Sequence, residues 1–203
     1  AQFGGTGIEA SRDFTPAADG GFFIAGYSYS TGIPNTHTNT IDPDIYLVKI
    51  SAAFGFEWHK CFGGAFSDIP VKVFAEEDGG CVLFSEVQTI NGNSGDIIGF
   101  TGSYDEVWAI KVNPAQAIQW QRCIGGNGQD DISTVVEEKY DDNNNLLPDN
   151  QRSYILLLRS SSSNRDMTGF HTNNNSFSDI WLAKMKKSDR SLLWNRCLGG
   201  SEV

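Results

Sequence analysis

The sequence is short of basic residues. Against 25 Asp and Glu it carries 15 Lys and Arg, a formal net charge of −10, and no segment is rich in Lys or Arg. A chain of that sign gains nothing from releasing counterions off a polyphosphate, so no nucleic-acid partner is expected, and an anionic membrane surface is disfavoured on the same ground. Long apolar runs are missing as well. None approaches the roughly 18 residues that a bilayer-spanning helix takes, so direct membrane insertion is not expected. The opening Ala1-Gln2-Phe3-Gly4-Gly5 has neither the basic n-region nor the apolar h-region of an export signal; such a signal was removed or never included. Glycine-rich phosphate loops, a Gly-x-Ser-x-Gly elbow and a His-Glu-x-x-His helix are all absent. The Gly-Gly pairs that do occur lack the Lys-Ser/Thr that a nucleotide site requires.

What is there is the composition of a folded β protein. A hydrophobic content of 39% with 12% aromatics excludes disorder. The 22 glycines, with abundant Asn and Ser and few Ala/Leu/Glu/Lys runs, point to many short strands joined by turns.

Self-similarity is the main signal. Trp58-His59-Lys60-Cys61-Phe62-Gly63-Gly64, Trp120-Gln121-Arg122-Cys123-Ile124-Gly125-Gly126 and Trp194-Asn195-Arg196-Cys197-Leu198-Gly199-Gly200 share one pattern, and Phe3-Gly4-Gly5 is its remnant at the start. Upstream of each lies a second anchor: Asp44-Ile45-Tyr46-Leu47-Val48-Lys49, Glu106-Val107-Trp108-Ala109-Ile110-Lys111 and Asp179-Ile180-Trp181-Leu182-Ala183-Lys184. The interval from Trp58 to Trp120 equals that from Lys49 to Lys111; the following intervals are longer, and Asp141 through Asn150 is the insertion that lengthens them. Tyr46, Trp58, Trp108, Trp120, Trp181 and Trp194 thus read as recurring structural anchors, packing residues of a core rather than a binding patch.

Alternation and turn punctuation give four strands per unit, in the middle one near Asp68–Ala75, Cys81–Gln88, Glu106–Val112 and Ile118–Cys123. Asp19-Gly20-Gly21 and Asp78-Gly79-Gly80 mark a tight hairpin after the first strand, replaced in the third unit by the Asn/Asp insertion. A four-stranded antiparallel meander recurring every ~60–75 residues cannot bury both faces alone, and packing successive sheets around an axis solves this. The expected fold is therefore all-β: one β-propeller segment over residues 1–203, with four-stranded blades at about 3–62, 63–124 and 125–198. Three blades do not close a ring, so the reading is a piece of a longer protein, or half of a six-bladed ring completed by a second copy or another chain.

The pattern Asp-Gly-Gly, then Asp-apolar-Trp-apolar-x-Lys, then Trp-x-basic-x-apolar-Gly-Gly resembles propeller repeats of exported Bacteroidota proteins across essentially the whole chain. Gly95-Asp96-Ile97-Ile98-Gly99 and Arg165-Asp166-Met167-Thr168-Gly169 match that family's intervening segment, and Asn35–Asn39 departs from it. The resemblance implies an exported protein, periplasmic, outer-membrane-associated or extracellular, in the company of type IX secretion. It implies no reaction.

Four cysteines in an exported chain raise the question of disulfides. Cys61, Cys123 and Cys197 hold one repeat position on successive blades, too far apart to bridge, and Cys81 is two strands from Cys123. Free buried thiols are expected, with a Cys61–Cys81 bridge as the alternative; His59 with Cys61 lacks the further ligands a metal needs. Asp96 and Asp166, near Asn173-Asn174-Asn175, could offer oxygens to Ca²⁺, though nothing matches an EF-hand, and no other cofactor is expected. The long polar connections Ser28–Pro43, Val87–Asp105 and Ser160–Ser178 should emerge on one face. On that face Asp96, Phe100, Tyr104, Asp166, Phe170, His171 and Phe177 are the candidate binding residues, unless the aromatics fold inward to pin their own loops.

The functional expectation is a non-catalytic module that binds a protein or a surface glycan at the cell envelope, with an outer-membrane secretion complex as one such partner and self-association as a way to complete the ring. The alternative is a polysaccharide hydrolase or lyase with paired carboxylates at the propeller axis.

Overall fold

The computed structural model describes residues 4–37, 41–89, 92–100, 102, 104–169 and 178–199. It is all-β; among the described residues the one helical element is a 3-10 turn at Asp149–Gln151. The first sheet is β1 (Glu9–Pro16), β2 (Phe22–Ser28), β3 (Asp44–Ile50) and β4 (Phe56–Phe62). The second is β5 (Asp68–Ala75), β6 (Cys81–Val87), β7 (Glu106–Val112) and β8 (Ile118–Ile124). The third is β9 (Asp130–Glu138), β10 (Ser153–Ser160), β11 (Asp179–Lys186) and β12 (Leu192–Leu198). Each is an antiparallel meander, and none closes on itself. In the second sheet β6 ends one residue earlier, and β8 one residue later, than the alternation suggests. The chain divides into two compact units, Ala1–Ile124 with the first two sheets and Gly125–Val203 with the third.

The fixed spacing of the two sequence anchors has a simple cause: they are cross-strand partners. Tyr46 pairs with Cys61, Trp108 with Cys123 and Trp181 with Cys197, while Lys49, Lys111 and Lys184 pair with Trp58, Trp120 and Trp194. A register shift follows the lysine each time, at Lys49/Ile50, Lys111/Val112 and Lys184/Met185. Side chains that face each other across a ladder stabilise it as pairs, so the two motifs cannot drift apart without losing register.

The same lysines explain the Asp-Gly-Gly hairpins. Lys49 Nζ donates to Asp19 Oδ2 at 2.7 Å, and Lys111 Nζ lies 2.5 Å from Asp78 Oδ2. Each aspartate also accepts the amide two residues on, from Gly21 at 2.9 Å and Gly80 at 3.0 Å. The Lys49 ammonium and the Gly21 amide hold Asp19 below the usual carboxylate range. Gly20 and Gly79 sit at φ of +82° and +84°, where a Cβ would be strained. In the third sheet Lys184 turns to Glu138 at 2.5 Å, and the longer connection organises itself. There Asp141 Oδ1 accepts the amides of Asn143 and Asn145, and the buried Lys187 reaches Asp149 at 2.6 Å and Glu137 at 3.1 Å.

In the first unit the two sheets pack face to face. Phe23, Ala25, Ile45, Leu47 and Phe62 of the first meet Val73, Leu83, Trp108, Ile110 and Val112 of the second in one core, with β5 laid against β1, β2 and β3. Asp13 on β1 secures the crossing by accepting the Val73 amide at 3.0 Å and Lys72 Nζ at 3.2 Å. In the second unit one face of the sheet, with Tyr154, Leu156, Trp181, Ala183 and Met185, is buried.

The recurring aromatics divide by strand. Tyr46, Trp108 and Trp181, on the third strand of each sheet, are buried; Trp58 and Trp120, on the fourth, are half-buried, and Trp194 is 37% exposed. All four cysteines are free thiols. Burial, reinforced by the Asp44 carboxylate, pushes the Cys61 thiol up to about 12, which leaves it in the unreactive protonated form.

Replacing Trp108 with Ala should cost about 3–5 kcal/mol in urea unfolding, the range for emptying a buried aromatic site. Trp194→Ala, on the partly solvated edge strand, should cost no more than about 1 kcal/mol. Equal losses would show that the two anchors pack equivalently in solution.

Candidate functional site

The connections that follow β2, β6 and β10 are long and polar, and at that end of each sheet a carboxylate holds the chain entering the first strand. Each first strand opens with an acid, Glu9, Asp68 or Asp130, that accepts the amide four residues before it. Gly5 donates to Glu9 Oε1 at 3.2 Å, Gly64 to Asp68 Oδ2 at 2.6 Å and Gly126 to Asp130 Oδ2 at 2.7 Å. The Gly-Gly pair has a steric reason at Gly63. A Cβ there would run into the Asp68 carboxylate and come within 3.0 Å of Asp44 Oδ1, so only glycine lets the backbone bend around both acids.

Serines at the end of the second strand complete the lock. Ser28 donates to Glu9 Oε1 at 2.9 Å, and Ser30 donates to the same oxygen while accepting Gly7 N–H at 2.7 Å. In the third sheet Ser160 and Ser162 donate to Asp130 at 2.5 and 2.8 Å, and Ser162 accepts Gly128 N–H at 2.8 Å. The second sheet breaks the pattern, because Val87 and Thr89 stand where Ser28 and Ser30 stand in the first. Asp68 Oδ1 therefore receives no side-chain hydroxyl. Burial raises the Asp68 carboxyl well above the usual range, against the opposing Gly64 amide, and the nearby Asp44 carboxylate adds to the rise.

Above this base the β2–β3 connection is gathered onto carboxylates. Thr36 Oγ1 and the His37 amide donate to the buried Asp44 at 3.1 and 2.5 Å. Asn35 Nδ2 donates to Asp96 Oδ2 at 2.6 Å, and the Asp96 amide returns to the Gly63 carbonyl at 2.8 Å. The His37 ring stands about midway, 3.9 Å from Asp44 and 4.0 Å from Asp96. At the same end of the second sheet a cleft of about 210 Å³ is lined by Ser67, Ile69, Glu86, Val87, Gln88 and Asp105. Of these, Gln88 Nε2 donates to Asp105 Oδ1 at 3.0 Å, and Tyr104, next to Asp105 in the chain, is 57% exposed. An apolar floor, an acidic and amide rim and an exposed phenol can take a hydroxyl-rich or cationic group.

The described candidate residues fall in four different settings. Asp96 belongs to the cluster, and Tyr104 is free at the surface. Phe100 is only 3% exposed and packs into the core of the first unit, so it pins its own loop. Asp166 lies in the second unit, its carbonyl accepting Asn195 Nδ2 at 3.4 Å. Phe170, His171, Phe177 and Asn173-Asn174-Asn175 lie outside the described residues. His59 is taken by Tyr46, whose hydroxyl is 2.7 Å from Nδ1. Among the described residues no group of three or more His, Cys, Asp or Glu is arranged to hold a metal ion. The serines and the Glu86–Gln88–Asp105 rim escape a motif reading; the repeated Ser-x-Ser of Ser28–Ser30 and Ser160–Ser162 was the available signal for the first.

Compared with models of known protein families and with curated proteins, the chain matches none of them.

The raised Asp68 value carries a sign for stability. In the unfolded chain the carboxyl ionises above about pH 4, whereas the folded state resists ionisation, so burying it weakens folding progressively as pH rises past that point. Asp68→Asn should therefore melt like the parent below pH 4 and higher than the parent at pH 7. Asp130→Asn, which disturbs a carboxylate holding three donors, should instead lose about 1–3 kcal/mol at pH 7. A lower melting temperature for Asp68→Asn at pH 7 would mean that the ionised bond to Gly64 outweighs burial.

Proposed function

We propose that the three sheets are blades of a β-propeller and that the chain is a non-catalytic docking module, recognising a protein or a glycan through the loops between second and third strands. The blade reading is supported by the face-to-face packing of the first two sheets and by the common register of all three. The observation that carries the docking reading is the cleft of Ser67, Glu86, Gln88 and Asp105 beside exposed Tyr104, where the β6–β7 connection leaves its sheet. An exposed aromatic next to acceptors, on a connection carried by a sheet scaffold, serves as an anchor. Placement at a bacterial cell envelope, exported and in contact with an outer-membrane secretion complex, is supported by the resemblance of the repeated motifs alone. The net charge of −10 favours a neutral or basic ligand over nucleic acid.

A second reading draws on the same cleft. Glu86 and Asp105 both line it, and two carboxylates at one cleft are what glycoside hydrolysis uses. Asp44 and Asp68 do not serve that reading, because both are wholly buried.

The test is binding of the purified chain to immobilised bacterial surface polysaccharides and envelope proteins, paired with an assay for new reducing ends. The double substitution Tyr104→Ala, Asp105→Asn should weaken binding at least tenfold, about 1.4 kcal/mol, with the melting temperature unchanged. Release of reducing ends that Glu86→Gln abolishes would replace the docking reading with the enzymatic one. Binding that ignores the double substitution would move recognition off this cleft.

A further inference from the structure

Among the described residues of the first unit, no other sheet packs on the second apolar face of the first sheet. Tyr46, Val48, Ile50 and Cys61, buried among their own neighbours, cluster there with the half-buried Phe22 and Ile24, all from the first sheet, and with the buried Ile33 from its own β2–β3 connection. Phe14 on that face is 65% exposed. Two clefts of about 160 and 270 Å³ flank Ile24, the first floored by Tyr46 and Val48, the second walled by Phe14.

Position by position, this face repeats the one by which the second sheet packs on the first. The registers place Phe14, Ile24, Tyr46, Val48, Ile50 and Cys61 where the second sheet has Val73, Leu83, Trp108, Ile110, Val112 and Cys123. Those six are buried in the core that joins the two sheets. What they meet is the opposite kind of face, made by Phe23, Ala25, Ile45, Leu47 and Phe62 of the first sheet.

The third sheet carries that opposite face, uncovered. By register, Ile155, Leu157, Ile180, Leu182 and Leu198 hold the positions of Phe23, Ala25, Ile45, Leu47 and Phe62. All five are apolar; Ile180 is 52% and Leu198 53% exposed, and the other three are half-buried. On a soluble β protein, exposed apolar patches at positions that are core elsewhere in the same chain mark an interaction surface.

We propose that the uncovered face of the third sheet in one copy docks on the uncovered face of the first sheet in a second copy, reusing the packing seen between the first two sheets. The occupant is this chain itself because it carries both halves of an interface already formed within it. The contact is heterologous, so it either closes into a ring or propagates. It extends the blade reading, whereas what the loop cleft binds is separate: loss of association would leave the polysaccharide and protein binding assay unaffected, and the reverse.

Light scattering on a sizing column, over a range of concentrations, tests this. The parent chain should associate. Phe14→Asp and Ile180→Asp, each at a side chain more than half exposed, should keep the parent's circular dichroism and melt yet raise the dissociation constant at least tenfold. Each variant keeps one intact face, so an equimolar mixture should give a 1:1 dimer that neither forms alone. Leu198→Lys replaces Ile180→Asp in the same mixture if the latter melts early. A parent chain that stays monomeric at every concentration, or a mixture that stays monomeric while the parent associates, would overturn the proposal.

Discussion

The loop end of every sheet depends on one interaction, a carboxylate at the first residue of the first strand that collects backbone amides and hydroxyls from segments otherwise free to wander. Glu9, Asp68 and Asp130 each take the amide of a glycine four residues earlier. In two sheets they also take a pair of serine hydroxyls from the end of the second strand. Asp130 can be wholly buried there because donors replace the water it has lost, whereas Asp68, buried as deeply with Oδ1 unpartnered, has its carboxyl raised by burial. The Gly-Gly turn follows from the acid, since a side chain at Gly63 would occupy the space of the Asp68 carboxylate.

At the other end of the first two sheets the constraint has the opposite polarity. Lys49 and Lys111 reach back to Asp19 and Asp78, and the hairpin aspartates in turn hold their own glycine amides. Each of these sheets is therefore tied at one end by a carboxylate that accepts and at the other by an ammonium that donates, with apolar faces left over in between. Those faces come in two complementary kinds, and their match joins the first two sheets. The second sheet departs from the pattern at Val87, where a hydroxyl has been exchanged for an apolar side chain; Val87 also lines the cleft between Glu86 and Gln88. Less satisfaction for Asp68 and an apolar floor for the cleft come from the same residue.

The all-β class, the strands and most of their limits are legible in the chain, because alternation, Gly-Gly and Asp-Gly-Gly are local signals set by a period of two and by backbone sterics. The pairing of Trp58 with Lys49 was implicit in the constant spacing of the anchors, although only the ladder shows why the spacing is constant. Only folding settles which side a residue faces and what lies across from it. It sends Phe100 inward and leaves Tyr104 out, two aromatics of one loop that sequence pattern cannot tell apart. It brings Asn35 to Asp96 and Asp13 to Val73 across more than one strand. It shows Asp68 losing the hydroxyls its counterparts keep, since that depends on the cross-strand partner rather than on any neighbour in sequence. Composition and period fix elements; contacts between distant segments, which carry the polar satisfaction and the exposure, are fixed only by folding.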